Sequence, residues 1–480
     1  MINPPSARDN PASDSQGPAV HALANGAADG QVAPARPKID RTRPLGRNVA
    51  FSLIGNAVFQ FCMWAMVSAI AKLGTKVLVG EYTFALAITA PVFFFASLNL
   101  RTVQATDARE RHKFGEYLGL RLVALAASIA LIAAIGIVMH LLPPKHDGTV
   151  LMNDESLAVL CWVTLARSFD WVSDLIYGLE LHHERMDLVS RSMILRGSLQ
   201  LLILGPAMLL TRSIVVSVAC VALASAISTI INDCRYASII LSHDNDKSRR
   251  IRWSAILPSW DIDVMKTLTL LSLPLGVAAL LGMLNVSIPR FFLQFYGGSA
   301  QVGVFSAMAN LLYFMGLISA STLQGIMPRL AHCLDVADIP QFWRIAARAM
   351  LVSIACGVAG ILMAHFFGPR LLALLYKADY GGHPHAFEWI MAAAAMYYIA
   401  SAFGCFLQAG RIFKPQPVVY GLSVLACILL CWYLVPRYGI IGGAWAYFGT
   451  NCVWALGFGL VAVVALSRNA VGAKGEGVPI

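Results

Sequence analysis

The sequence predicts an all-α polytopic membrane protein with about twelve transmembrane helices, arranged as two six-helix lobes. Three observations predict it. Of 480 residues, 58% are hydrophobic and 13% charged, against about 25% charged in an ordinary soluble domain. Apolar runs of about 20 residues, the length a helix needs to cross the bilayer hydrocarbon, recur from Asn48 almost to the end of the chain. Lysine and arginine gather in every second connection between those runs, the charge pattern of a membrane protein with a set orientation.

The expected spans are 48–71, 81–103, 117–142, 156–179, 189–211, 213–240, 267–296, 302–327, 344–367, 386–409, 416–436 and 440–466. A helix satisfies its backbone polar groups internally, which hydrocarbon demands. Residues 1–43 are rich in Ala, Pro, Ser, Gly and Asp without apolar periodicity, and are expected to be a disordered cytoplasmic tail. They lack the basic start and apolar core of a signal peptide. Residues 44–245 and 267–467 should form the two lobes, 246–266 the cytoplasmic linker between them, and 468–480 a second cytoplasmic tail. Eight of ten cysteines (Cys62, Cys161, Cys220, Cys356, Cys405, Cys427, Cys431 and Cys452) fall inside spans and read as small apolar packing residues. Cys234 and Cys333 lie near helix ends, and no set has zinc-site spacing. No metal and no cofactor are expected.

Orientation follows from the basic residues. One set of connections holds Arg36, Lys38, Arg41, Arg43 and Arg47, then Arg101, Arg109, Arg111 and Lys113, then Lys247, Arg249, Arg250, Arg252 and Lys266. The alternate set offers only Lys72, Lys76, Lys145, Arg212, Arg370, Lys377 and Arg437. Both termini are therefore expected in the cytoplasm. The net charge of +10 is then topological, with anionic inner-leaflet lipid as its partner. Nucleic acid is not expected as a partner, because the basic residues are scattered over many short loops.

Two stretches resemble each other: GEYTFALA from Gly80 and GVFSAMAN from Gly303, each with Gly two residues before an aromatic and small residues just after. The offset from 80 to 303, 223 residues, carries the first span start at Asn48 onto 271, near the start of the seventh. Two halves of six helices share one orientation, so their pseudo-two-fold axis runs along the membrane normal.

The runs IPRFFLQFYGGSAQVGVFSAM (Ile288 to Met308), GRIFKPQPVVYGLSVLACILLCWYLVPRYGIIGGAWA (Gly410 to Ala446) and AKLGTKVLVGEYTFALAI (Ala71 to Ile88) resemble the polysaccharide-repeat-unit (O-antigen and exopolysaccharide) flippases. These belong to the multidrug, oligosaccharidyl-lipid and polysaccharide exporter superfamily. The resemblance covers roughly Arg43 to Ser467. It implies two lobes around a central cavity that opens alternately to each side, lined by helices 1, 2, 7 and 8. The implied cargo is an oligosaccharide on undecaprenyl pyrophosphate, moved from the cytoplasmic to the periplasmic leaflet of the bacterial inner membrane. It leaves H⁺ or Na⁺ coupling open, and implies a polysaccharide polymerase and a chain-length regulator as further partners.

Polar residues inside the spans are the candidate site. An anionic headgroup crossing hydrocarbon needs cations, and arginine suits pyrophosphate through its bidentate fork. Arg290 is the foremost candidate, on a helix interrupted by Pro274 and Pro289. Either it lines the cavity, or it snorkels to the nearby headgroups. Arg167, Asp170 and Asp174 share a helical face at i, i+3 and i+7, and folding the next helix back sets Arg196 opposite, between the two aspartates. These four read either as a structural network or as a substrate or proton site, with Asp170 the proton-coupling candidate. Ser52, Asn56 and Gln60 on the first span, and Ser306, Asn310 and Tyr313 on the eighth, are either sugar-binding stripes or interhelical glue.

A flippase for a lipid-linked oligosaccharide is thus expected, not an enzyme. A cation-coupled drug exporter of the same superfamily is the alternative, yet spans 48–71 and 267–296 carry no Asp or Glu to hold a cation. A polymerase or glycosyltransferase acting on the same lipid is less supported, since the longest outer connection, 368–385, is short and turn-rich.

Overall fold

The structure, a computed structural model, describes residues 45–107, 112–143, 150–246, 253–336 and 338–475. The expected tail 1–43, residues 247–252 of the expected linker and Arg109 and Arg111 lie outside the described residues. The helices in order are α1 (Leu45–Leu73), α2 (Lys76–Ser97), α3 (Leu100–Thr106), α4 (Phe114–Leu141), α5 (Asp154–His182), α6 (Met186–Thr211) and α7 (Ile214–Ile227). A π turn (Ser228–Asp233) joins α7 to α8 (Cys234–Asp246); a 3₁₀ turn (Trp253–Ile256) precedes α9 (Ile262–Met315). Then come α10 (Leu317–Asp335), α11 (Ile339–Leu375), α12 (Pro384–Ala409) and α13 (Gln416–Gly475).

Nine continuous helical stretches among the described residues are long and apolar enough to cross a bilayer. Two of them are pairs. α9 turns at Gly298 (φ 71°) and α13 at Gly439 (φ 53°), left-handed positions that glycine occupies without a Cβ clash. The limbs of α13 run back along each other, since a Cβ on Gly449 would lie 2.7 Å from Leu430 and one on Gly457 2.5 Å from Val419. α5, 29 residues long, carries the charged face of Arg167, Asp170 and Asp174 and falls on the expected fourth span. Helix continues to Gly475, so the segment expected as a tail from 468 is helical up to that point. Likewise α9 begins at Ile262, inside the expected linker.

In the N-terminal half α1 packs on α6, while α7 packs on both α5 and α6; in the C-terminal half α12 packs on α11 and α13, and α13 on α9. The halves meet chiefly where α2 lies against α9. That contact is a symmetric exchange between the two repeat glycines. A Cβ on Gly80 would overlap the Ser299 carbonyl oxygen, and one on Gly303 would overlap that of Lys76. Ser299 stands 223 residues after Lys76 as Gly303 stands 223 after Gly80, so each half offers the other the same pair. Small residues four apart let helix backbones touch, and in lipid such close packing is what drives association.

This contact lies at the end of the molecule that carries the α1–α2 turn, the Gly298 turn and the 376–383 connection, here the far end. Around it, the Ser68 hydroxyl donates to the Leu375 carbonyl at 2.6 Å and Lys377 Nζ donates to the Gly74 carbonyl. The Lys76 ammonium sits 5.9 Å above the Tyr380 ring. Burial, and secondarily Lys76, hold the nearby His383 imidazole below the usual histidine range. The far end is thereby sealed between the halves.

Enlarging either glycine should keep this seal from closing. In a background lacking the native cysteines, spin labels at Thr75 and Ala378 should report a longer distance in Gly80→Leu and Gly303→Leu than in the parent, at a stability cost of about 1–3 kcal/mol from overpacking. An unchanged distance distribution would show that the glycines do not set the closure.

Candidate functional site

The charged face of α5 turns inward, toward α6 and the π turn. Arg196 on α6 is 2% exposed and is held from two sides: Nη1 lies 3.0 Å from Asp170 Oδ1, and Nη2 lies 2.6 Å from Asp233 Oδ2. Nη2 also donates to Thr229 Oγ1 at 3.1 Å and to the Ser173 hydroxyl. The π turn presents Thr229 and Asp233 to the same guanidinium, a wide-turn geometry that recurs at functional sites. Gln200 Nε2 donates to Asp170 Oδ1 at 3.4 Å and to Ser225 Oγ at 2.7 Å, and Arg167 Nη1 lies 3.7 Å from Asp170 Oδ2. Asp233 accepts further hydrogen bonds from Asn232 Nδ2 at 2.8 Å and from the Ser192 hydroxyl.

Asp174 does not join this cluster, which corrects the expectation that Arg196 would sit between both aspartates. Its carboxylate is 3.3 Å from Arg101 Nη1 on α3 and 3.5 Å from Arg121 Nη2 on α4. One turn of helix separates Asp170 from Asp174, about 6 Å along the axis, and α3 and α4 cover the second position. Arg121 is 1% exposed and lies 5.6 Å from the Trp171 ring centre. Asp233, Arg101 and Arg121 are thus partners that the sequence-based expectation of the network did not include. The available signal was a charge inside an apolar span, as with Arg121 and Asp233.

In the C-terminal half Arg290 is 9% exposed, so it does not snorkel to the headgroups. Its Nε donates to Ser306 Oγ at 3.0 Å across the Gly298 hairpin, and its Nη1 lies 3.4 Å from the Val286 carbonyl. Among the described residues no carboxylate lies within ion-pair distance of it. Arg290 is therefore a buried cation held by neutral groups, whereas Arg196 is a buried cation held by two anions.

The uncharged candidates divide. Asn56 is half-buried and Gln60 exposed, on the side of α1 away from Gly55, whose Cβ would meet Ser190 of α6. Asn310 is half-buried, but Ser306 is committed to Arg290. Asn285 Nδ2 donates to Ser423 Oγ at 2.8 Å, joining α9 to α13. Arg167, Arg196, Asp170 and Asp174 thus lie in one half and Arg290 and Asn310 in the other, and no described contact brings the two groups together.

No family model matches the chain. Among solved structures, it is similar to an inward-facing multidrug resistance MATE family transporter of the MOP superfamily (TM-score 0.61, 11% identity, 87% of this chain and 98% of that one). It is also similar to a variant of the Vibrio cholerae MATE transporter VcmN (TM-score 0.58, 14% identity, 88% and 96% covered). A third is a MOP superfamily transporter from Pyrococcus furiosus, described as having a binding pocket of reverse polarity that suggests a different function (TM-score 0.56, 15% identity, 88% and 95% covered). The chain shares the fold of these transporters along nearly their whole length. In sequence the chain is similar to the capsular polysaccharide biosynthesis protein CapF of Staphylococcus aureus, 26% identical over 406 residues, covering 83% of this chain and 94% of that protein.

Removing the Arg196 guanidinium strands Asp233 without its cation. Arg196→Met should destabilise the protein in detergent by about 3–5 kcal/mol, read by denaturant or thermal unfolding. Adding Asp233→Asn should recover part of that loss, because the two act as one unit. Equal losses that simply add would show that the pair is not coupled.

Proposed function

We propose that this protein is a flippase that moves an undecaprenyl-pyrophosphate-linked oligosaccharide repeat unit from the cytoplasmic to the periplasmic leaflet of the inner membrane, by alternating access, for surface polysaccharide synthesis. Both termini are then cytoplasmic and the sealed far end is periplasmic. The observation that carries the reading is the set of neutral partners around Arg290. A buried guanidinium whose partners among the described residues are a hydroxyl and a carbonyl can turn its charge to an anion, and the bidentate fork matches a phosphate. Similarity to CapF agrees with a lipid-linked polysaccharide as cargo.

Drug export needs the opposite arrangement, a carboxylate free to hold a cation. In the N-terminal half Asp170 and Asp233 are engaged by Arg196, and Asp174 by Arg101 and Arg121. Glu81 on α2 is buried, its Oε1 accepting from Ser156 Oγ of α5 at 3.0 Å, and its Oε2, like both carboxylate oxygens of buried Glu180 on α5, has no hydrogen-bond partner among the described residues, so these two carboxyls are the ones the drug-export reading would use. Neither α1 nor the membrane portion of α9 contains an acidic residue. The role is transport, with no bond made or broken.

Proteoliposomes carrying a labelled polyprenyl-pyrophosphate oligosaccharide test the reading. Wild type should translocate the lipid, and Arg290→Gln, folded to the same extent, should lose about tenfold or more of the rate, the effect of one charge-assisted contact to the moving group. Export of organic cations against a Na⁺ or H⁺ gradient, with the lipid left in place, would replace this reading with drug export.

A further inference from the structure

An aromatic groove follows the junction between the halves at the far end. Its deeper part encloses about 420 Å³ and takes its walls from both halves, Phe84 of α2 and Met139 of α4 on one side, Phe291 and Phe295 of α9 and Trp432 of α13 on the other. Phe84 and Phe291 meet edge to face across the junction, with ring centres 5.7 Å apart. Phe295, Tyr296 and Trp432 are 50%, 47% and 66% exposed on membrane-crossing limbs. Because the halves are sealed together at this end, these rings face hydrocarbon and not a central cavity.

A second hollow of about 480 Å³ continues the groove toward the membrane surface, sharing Tyr296 and Trp432 and ending at Tyr433 and Arg437. The turns at Gly298 and Gly439 lie side by side, since a Cβ on Gly439 would sit 3.3 Å from Gln301 Oε1. Phe291 and Trp432 each stand seven residues before their turn, so the groove descends about 10 Å from it at the helical rise. Arg437, two residues before Gly439, is left at headgroup depth, where tyrosine and tryptophan also settle.

The charge at the mouth has one sign. Arg437 is the one charged side chain lining either hollow, and no Asp, Glu, Lys or His accompanies it. Among the described residues no carboxylate lies within ion-pair distance of it. Its Nη1 donates to the Tyr433 carbonyl one turn back at 2.9 Å, and its guanidinium carbon lies 3.8 Å from the Tyr433 ring centre. The side chain is folded back over the groove instead of reaching out to water, the reverse of snorkelling. A guanidinium has five N–H donors, so one bond to a carbonyl leaves donors for a phosphate.

We propose that the groove holds one anionic phospholipid of the far leaflet, its phosphate on Arg437 and an acyl chain along the aromatic rings, and that this lipid braces the halves in the sealed arrangement. An apolar trough open to the bilayer and capped by a lone cation matches the division of such a lipid into chain and head. Both halves supply the walls, so a bound lipid has more affinity for the sealed arrangement and shifts the population toward it. The inference is independent of the cargo and goes beyond the flippase reading.

Native mass spectrometry of the full chain in detergent tests the binding, titrated separately with dioleoylphosphatidylglycerol, dioleoylphosphatidylcholine and undecaprenyl diphosphate. Wild type should retain its first phosphatidylglycerol at about fivefold lower concentration than phosphatidylcholine, the effect of one cation near an anionic headgroup. Arg437→Gln, at an exposed position, should abolish that preference, whereas Trp432→Ala should weaken both phospholipids and leave their ratio. Unchanged melting in phosphatidylcholine nanodiscs is the control for folding. Spin labels at Thr75 and Ala378 should show a larger short-distance population in phosphatidylglycerol than in phosphatidylcholine nanodiscs, and Arg437→Gln should remove the difference. Equal retention of the two phospholipids, a preference that survives Arg437→Gln, or distances indifferent to phosphatidylglycerol would overturn the proposal. Undecaprenyl diphosphate held more tightly than phosphatidylglycerol, and weakened by Arg437→Gln, would also overturn it and give the groove to the carrier lipid.

Discussion

The two halves are joined at the far end by backbone touching backbone. Where α2 crosses the second limb of α9, Gly80 and Gly303 leave no room for any side chain, and the contact repeats itself about the pseudo-two-fold axis. Lipid offers no hydrophobic gain for bringing helices together, so their association depends on how closely they pack. The polar contacts described around the crossing are single and include no ion pair: a hydroxyl and an ammonium on carbonyls and a cation above a ring. A seal of this kind separates without stripping a buried ion pair, which would cost several kcal/mol per ion.

The ion network is a contact of the opposite sort, and it lies within one half. Arg196, Asp170 and Asp233 tie α5, α6 and the π turn into one unit, with further hydrogen bonds from Ser192, Gln200 and Asn232. Pulling any of these helices away exposes an unpaired charge to a dry interior. The N-terminal half is therefore held in register by electrostatics, while the junction between halves is held by fit. A molecule built this way yields at the junction before it yields inside the half.

Much of this was legible in the sequence, and the limits are physical. The repeat from Gly80 to Gly303 was readable because close backbone approach demands glycine, a constraint that survives when other side chains drift. The pairing of Arg196 with Asp170 was readable because a short connection folds α6 back on α5, and hairpin geometry sets the depth. Asp233 was out of reach, since its pairing requires knowing that the sixth crossing packs on both and that its helix widens into a π turn. Arg101 and Arg121 were missed as partners of Asp174 for the same reason: α3 and α4 meet α5 laterally. The breaks between spans at 297–301 and 437–439 were legible, yet the tight turns at Gly298 and Gly439 and the helix continuity around them are properties of the backbone.

The repeat also shows what the two halves do not share. Carried through the offset of 223, Asp170 falls on Ala393, Arg196 on Val419 and Asp233 on Leu456, while Arg290 falls back on Val67. The scaffold is symmetric and the charge is not. Packing alone would have allowed the same apolar solution in both halves, as Ala393 and Val67, both buried, demonstrate. Ions in hydrocarbon are costly to keep, and the halves keep them differently: Arg101, Arg121, Arg167 and Arg196 pair with Asp170, Asp174 and Asp233 in the first, whereas buried Arg290 in the second has no carboxylate within ion-pair distance among the described residues. In the first half the buried ions tie helices to one another, while in the second Arg290 is held by neutral groups of its own helical hairpin.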